Sequence, residues 1–353
     1  HRDLHYPLRR QRQMCIRDRT FPDKLPTSVI GYSVSNQPIY AYTIGKGSNK
    51  VLLWSQMHGN ESTTTRALFD LFSYLYSTEG SKILERLTLL IIPQLNPDGA
   101  YAYTRLNANS VDLNRDAKAL SQPESVALKA VFDDFSPNFC FNLHGQRSIF
   151  AAGKMGKPAT LSFLSPAADD ERSLTPARLK AMQLILSIFE ILKDDIPQSI
   201  ARYDDTFNSN CVGDSFTSQG IPTLLFEAGH YELDYNRDFT KKMILKALIV
   251  ALNSISNYQY LNQSVEQYEL IPKNKKDYVD LIIRNVKIRT YKGIFKNQEL
   301  ALQYKEEKKG DAILFVPICH SFSEKLDLLA HRVLDANELI DVKEVYFLSL
   351  IHI

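Results

Sequence analysis

The residues "HGNE", 58–61, put an imidazole and a carboxylate three positions apart beside a glycine, shortly after the apolar run "VLLW" (51–54). Two chemistries fit that pair. It can be a solvated polar pair at a strand end. Alternatively, His58 and Glu61 can supply two of the three protein ligands that a catalytic zinc ion takes while one coordination position stays open. A three-residue spacing in a tight loop or helical turn brings both side chains to one side. A third ligand must then come from the end of another strand, and His144 in "FCFNLHG" stands at such a place.

Glu227 closes the run "IPTLLFE". A carboxylate behind so apolar a strand is partly desolvated, which raises its pKa and suits proton transfer. A helix-capping or buried, paired glutamate is the alternative. The stretch "LNPDGAYAYTRLNANSVDLNRD" (95–116) brings Arg105, Asn114 and Arg115 close in sequence to one another. Arginine forks bind carboxylates in bidentate fashion, and a fixed cation polarises a carbonyl and steadies an oxyanion. Surface salt bridges are the plainer use of the same residues. "NPDG" by itself signals a turn.

Side chains so far apart in sequence need a scaffold that ends several strands in one place. "KVLLWSQ" (50–56), "LTLLIIPQL" (87–95), "FCFNLHG" (139–145) and "IPTLLFEAGH" (221–230) are near-continuous apolar runs, as expected of strands buried on both faces. Helical spacing of apolar residues marks 64–77, 175–193 and 237–255. Ser121 and Glu124 form a capping-box signature ahead of another helix ending near 135. The alternation predicts an α/β domain with a mixed, mostly parallel sheet, helices on both faces and a site at the carboxyl ends of the strands. His58, His144 and Glu227 all fall at such ends. Near 260 the chain turns polar, and the remainder is expected to be a small α+β extension with a helix at 275–288 and short strands such as "DAILFVPI". It carries no chemical motif, and His320 and His331 in it are read as structural or surface residues.

The termini are a separate matter. Residues 9–19, "RRQRQMCIRDR", back-translate to a common sequencing-library adapter, "HRDLH" at 1–5 fits the adjoining primer, and "LSLIHI" at 348–353 fits the adapter's reverse complement. Residues 1–19 and 348–353 are therefore expected to be translated adapter, with the native N-terminus missing or shortened. The expected domains are 20–259, catalytic, and 260–347, the extension. The whole chain carries 42 Lys and Arg against 40 Asp and Glu, net +2; residues 1–19 hold six Arg and two Asp, so the rest holds 36 and 38, net −2. Charge therefore offers no ground for a nucleic-acid partner. No apolar run approaches the ~20 residues of a membrane span. Cys140, Cys211 and Cys319 are too scattered for a disulfide framework, which favours a reducing, cytoplasmic setting.

"HGNE", "NPDGAYAYTR", "VDLNRD", "NLHG" and "LLFEAGH" follow one another in the order seen in carboxypeptidase A-like zinc carboxypeptidases. Over roughly 50–230 the chain resembles that family, in its bacterial, uncharacterised branch. The resemblance implies one zinc ion per chain held by His58, Glu61 and His144, with Glu227 as general base and acid. It implies that Arg105 stabilises the oxyanion, that Asn114 and Arg115 grip the substrate's terminal carboxylate, and that Asp112 hydrogen-bonds a zinc-bound histidine. The chain departs from the family at Asn60, where an arginine is usual, and at Gly145 and Gln146, where serine and tyrosine are usual. The family's mobile tyrosine has no clean match here, Tyr203 being a candidate and Phe207 lying closer by alignment, and the family's specificity pocket falls near Gly213 or Asp214. His230 is read as structural. The expected function is zinc-dependent removal of a C-terminal residue from peptides; the alternative is hydrolysis of small N-acyl amino acids, as in the aspartoacylase and succinylglutamate desuccinylase relatives. Both substrates carry a free carboxylate. A non-catalytic binding module would have shed a ligand or the base, and all four are present.

Overall fold

The structure is a computed structural model that describes residues 26–290 and 293–336 and the backbone of 345–346. The segments read as adapter, 1–19 and 348–353, lie outside the described residues. Strands β1 (Thr27–Tyr32), β2 (Pro38–Gly45) and β3 (Asn49–Ser55) lead into helices α1 (Ser62–Leu75) and α2 (Thr78–Leu84). Next come β4 (Leu87–Ile92), the short α3 (Pro97–Ala102), a 3-10 turn at Leu113–Arg115 and α4 (Pro123–Phe135). Then follow β5 (Phe139–Gly145), β6 (Ala151–Ala152), β7 (Leu161–Leu164), α5 (Pro176–Leu192), β8 (Ile200–Arg202), α6 (Val212–Ser218), β9 (Thr223–Ala228) and α7 (Asp238–Ser256).

Eight of these strands form one sheet in the order β1-β2-β4-β3-β5-β9-β7-β8. The central pairs β4–β3, β3–β5 and β5–β9 are parallel, as is β7–β8, and the remaining pairs are antiparallel. This is the mixed, mostly parallel α/β sheet expected. The continuous apolar runs follow from burial on both sides. In β3, Val51 and Leu53 join the core that contains Leu68 of α1, Leu184 of α5 and Leu248 of α7. Their neighbours Leu52 and Trp54 face the opposite core, with Leu128 of α4 and Phe216 of α6. No helix among the described residues is long and apolar enough to cross a membrane.

Two local expectations turn out differently. The N-cap of α4 is Gln122, with no side-chain capping bond. Ser121 Oγ donates to Asp116 at 2.7 Å, and the Glu124 carboxylate accepts from the Val34 backbone at 3.1 Å and from Asn107 at 3.2 Å. Tertiary partners thus outcompete the reciprocal cap. "NPDG" begins a helix instead of a bare turn: Asn96 accepts from Gly99 N at 2.8 Å and Pro97 occupies the first turn of α3, where a missing N–H costs nothing.

Beyond α7, two 3-10 turns at Gln259–Asn262 and Val265–Leu270 bury Tyr260, Tyr268 and Ile271 in the first core. The strand β10 (Asn274–Lys275) pairs with β6. A second sheet follows, from β11 (Tyr278–Thr290), β12 (Gly293–Lys309), β13 (Ala312–Ser323), β14 (Leu329–Asp335) and β15 (Val345–Tyr346), in the order β13-β12-β11-β14 with β15 also on β11. Residues 275–288, expected as a helix, are mostly β11. Its Ile and Val side chains are stiff and favour a pleated surface, and Val286 and Ile288 alternate into a small core with Leu300.

Candidate metal centre

Three loops at the carboxyl ends of β3, β4 and β5 carry most of the chemistry, with β9 beside them. After β3 the chain turns through Gln56, at φ +52°. Gly59 packs so tightly on α3 that a Cβ there would lie 1.9 Å from the Gly99 carbonyl carbon. That contact requires a glycine and sets the His58–Glu61 turn, whose Glu61 N bonds His58 O at 3.1 Å. Both side chains point inward; His58 is buried.

His144, from the end of β5, meets them. One ligand atom from each of His58, Glu61 and His144 lies within 4.8 Å of the others. His58 Nδ1 is 2.8 Å from Glu61 Oε1, His144 Nδ1 is 3.0 Å from Glu61 Oε2, and the two imidazole Nδ1 atoms are 3.1 Å apart. Two imidazoles and a carboxylate, buried and aimed at one point, are the donor set a zinc ion takes, so the residues fit the metal. The other ring nitrogen of His58 meets Asp112 Oδ1 at 3.0 Å, an outer partner that fixes tautomer and orientation. Asp112 is itself positioned by the turn it caps, accepting from Asn114 N at 2.9 Å.

Arg105 reaches across this group, with Nε 3.1 Å from Asp112 Oδ2 and Nη1 3.3 Å from Glu61 Oε1. Its loop is anchored by Asn60 N to Thr104 O at 3.1 Å. Asn114 and Arg115 lie against the start of α6. Asn114 Oδ1 accepts from Val212 N at 3.0 Å, and Arg115 Nη1 lies 3.1 Å from Cys211 Sγ. Glu227 is paired in register with His144 across the parallel β5–β9 ladder, and its Oε2 is buried without a hydrogen-bond partner.

Burial and charge set the protonation of these groups. Burial works against a charged His58, but the Glu61 carboxylate and the bonds to Asp112 and Glu61 prevail and raise its pKa. Burial lowers that of His144, with only partial compensation from Glu61. Burial opposes ionisation of Glu61 and Asp112 as well, yet the neighbouring histidines hold both carboxyls far below their ordinary range. Glu227 goes the other way: burial first, then the Glu61 charge, push it well above a normal glutamate, with Arg105 opposing. The two buried carboxyls are therefore driven in opposite directions, Glu61 toward the ionised form and Glu227 toward the protonated one, as happens when environments separate two acids.

The sequence did not choose between Tyr203 and Phe207. Tyr203 is the one whose hydroxyl feels the site: its pKa is pushed up to about 12 by burial first and then by the Glu227 charge. Gln146 is absorbed by the frame, donating to Ala159 O at 2.8 Å and Ser162 Oγ at 3.1 Å and accepting from Asn274 at 2.9 Å. Asp214 is buried in the first turn of α6, and desolvation lifts its pKa to about 6. His331 meets His230 ring to ring, centroids 4.1 Å apart, and bonds Ser148 O at 2.7 Å. No motif could have announced that cross-domain pair, because each histidine is isolated in sequence. His320 is exposed on β13.

Known proteins bear on this arrangement. The sequence model of the zinc carboxypeptidase family matches residues 16–152. Carboxypeptidase 2 of Trichophyton rubrum is 31% identical over 115 residues, covering 31% of this chain and 21% of that protein. The chain thus matches only about a fifth of the length of that curated relative. A metallo-carboxypeptidase from Burkholderia cenocepacia shares the fold, with a TM-score of 0.55 at 17% identity over 71% of this chain and 69% of that one. A Pseudomonas aeruginosa metallo-carboxypeptidase, solved with (2-guanidinoethylmercapto)succinic acid, superposes with a TM-score of 0.55 at 17% identity, covering 70% of this chain and 68% of that one.

Proposed function

We propose that the chain is a zinc metallocarboxypeptidase that hydrolyses an amide next to a free C-terminal carboxylate, a reading supported by the match of the zinc carboxypeptidase family model to residues 16–152. The observation that carries this is the convergence of His58, Glu61 and His144 within 4.8 Å, with Glu227 in register beside His144.

His58, Glu61 and His144 would hold the ion, with Asp112 steadying His58 at 3.0 Å. A zinc ion in such a site polarises a carbonyl and acidifies water. Glu227, whose burial raises its pKa and so makes its carboxylate a stronger base, when ionised takes the proton of the attacking water and returns it to the leaving amine. Arg105, partly exposed between Glu61 and Asp112, turns its guanidinium toward the developing oxyanion. Removal of one donor of that kind costs about 10²–10³ in rate in a characterised hydrolase. Asn114 and Arg115 hold the substrate's carboxylate, a pairing in which the guanidinium fork supplies geometry as well as charge. The Tyr203 hydroxyl, which feels the charges of Glu227 and Arg105, is a candidate donor to bound substrate. Cys140, Cys211 and Cys319 are all free among the described residues, which is consistent with a reducing, cytoplasmic setting.

The test is Glu227→Gln in the zinc-loaded protein, assayed on peptides and N-acyl amino acids of varied C-terminal residue. Hydrolysis is expected to fall by at least about 10²-fold, the lower range for a general base, while metal content stays at one per chain. Undiminished turnover in this variant removes Glu227 as the base.

A further inference from the structure

The second sheet is not a distant appendage. On β12, Tyr304, Glu306 and Lys308 alternate with their neighbours and so share one face of the strand. Each meets a tyrosine from a connection between strands of the first sheet. Tyr304 packs on Tyr235 with ring centroids 5.5 Å apart, Glu306 accepts from the Tyr103 hydroxyl, and Lys308 bonds the Tyr101 carbonyl with its ammonium 4.2 Å above the Tyr101 ring. Gln303, at the near end of this stretch, donates to Ser148 Oγ at 3.1 Å.

The loops touched are those that leave β5, β9 and β4, and they contain or follow His144, Glu227 and Arg105. From Gln303 to Lys308 a strand runs about 17 Å, so β12 crosses the row of strand ends as a strap. Buried Asp280 on β11 fastens it, accepting from Tyr304 N at 2.7 Å, from Tyr235 Oη at 2.9 Å and from Gln303. Asn114 and Arg115 lie against Cys211 and Val212 at the start of α6, which packs on the opposite core from α7, the helix whose leading loop holds Tyr235 against the strap.

We propose that β12 closes the acyl end of the cleft, so that the substrate carries its free carboxylate toward Arg115 and no more than one residue or a short acyl group on the far side of the cleaved amide. Dipeptides and N-acyl amino acids share that chemistry; longer peptides would run into the strap. The proposal rests on the hydrolase assignment above, and its test separates the two.

The experiment uses the full chain loaded with zinc and substrates of one C-terminal residue, with the acyl side growing from acetyl to one, two and four amino acids. Values of kcat/KM are expected to drop by more than about tenfold once the acyl side exceeds one residue, a discrimination within reach of steric exclusion. Relative rates on the acetyl and one-residue substrates distinguish the two substrate classes. Glu306→Ala with Lys308→Ala, which frees the strap from Tyr101 and Tyr103, is expected to narrow that gap while leaving the acetyl substrate unaffected. Calorimetric binding of the same series to the Glu227→Gln protein gives a readout independent of turnover, and affinity is expected to fall at the same length. Equal kcat/KM along the series, with turnover present, overturns the strap and leaves the hydrolase standing. No turnover on any member overturns both.

Discussion

His144 and Glu227 are Cα partners on adjacent parallel strands, β5 and β9. Neighbouring strands stand about 4.8 Å apart, so the ladder itself sets the imidazole and the carboxyl beside one another. A loop could drift; two hydrogen-bonded strands buried on both faces cannot easily do so. Glu227 Oε2, buried without a hydrogen-bond partner, thus sits beside His144 through the backbone register of β5 and β9.

Asp112→Ala removes the acceptor from the far nitrogen of His58, now 3.0 Å away. Outer partners of metal-bound histidines are worth about 10–100-fold in metal affinity. Zinc affinity, measured by competition with a chelating dye, is expected to fall within that range while the far-UV circular dichroism is unchanged. An unaltered affinity would show that the carboxylate does not act through His58.

Metal removal is a second check. Bound zinc stabilises the folded chain by about 4 kcal/mol when free metal exceeds Kd about a thousandfold. Scanning calorimetry is expected to show a lower Tm after chelation and full recovery on adding zinc back. His144→Ala, which deletes one of the three converging ligands, is expected to show no zinc-dependent rise. A parent protein indifferent to zinc would sink the metal centre.

Asp214 gives the pH dependence of stability a definite sign. Burial lifts its pKa from 3.8 to about 6, so the folded protein holds a proton that the unfolded chain releases. The contribution to stability is complete below about pH 4 and is lost as pH rises through about 6, amounting to about 3 kcal/mol at most. Asp214→Asn, which cannot ionise, is expected to gain stability over the parent near neutral pH by denaturant titration and to lose that advantage toward about pH 4. An advantage independent of pH would mean that the carboxyl is solvated.

Much of the frame was legible in the chain. Runs such as "VLLW" and "TLLF" have no polar face, and only strands covered on both sides explain them economically. The helices at 62–75, 176–192 and 238–256 lie where apolar spacing puts them, within a few residues. The second sheet was harder. In "YVDLIIRNVKI" the apolar residues match either period over short windows, and β-branching, a weak local preference, is what favours the strand.

The identities of the side chains able to bind a metal, carry a proton or grip a carboxylate are properties of the sequence, because those chemistries depend on atoms that His58, Glu61, His144, Arg105, Asn114, Arg115 and Glu227 carry in any conformation. Which of them meet is decided only in the fold. A buried apolar strand has the same pattern whichever strand it pairs with, so the neighbourhood of β5 and β9, the reach of Asp112 to His58 across 54 positions and the crossing of β12 over three loops depend on packing of the whole chain. Local pattern specifies which face is buried; long-range register, set by the summed fit of both cores, specifies what stands next to what.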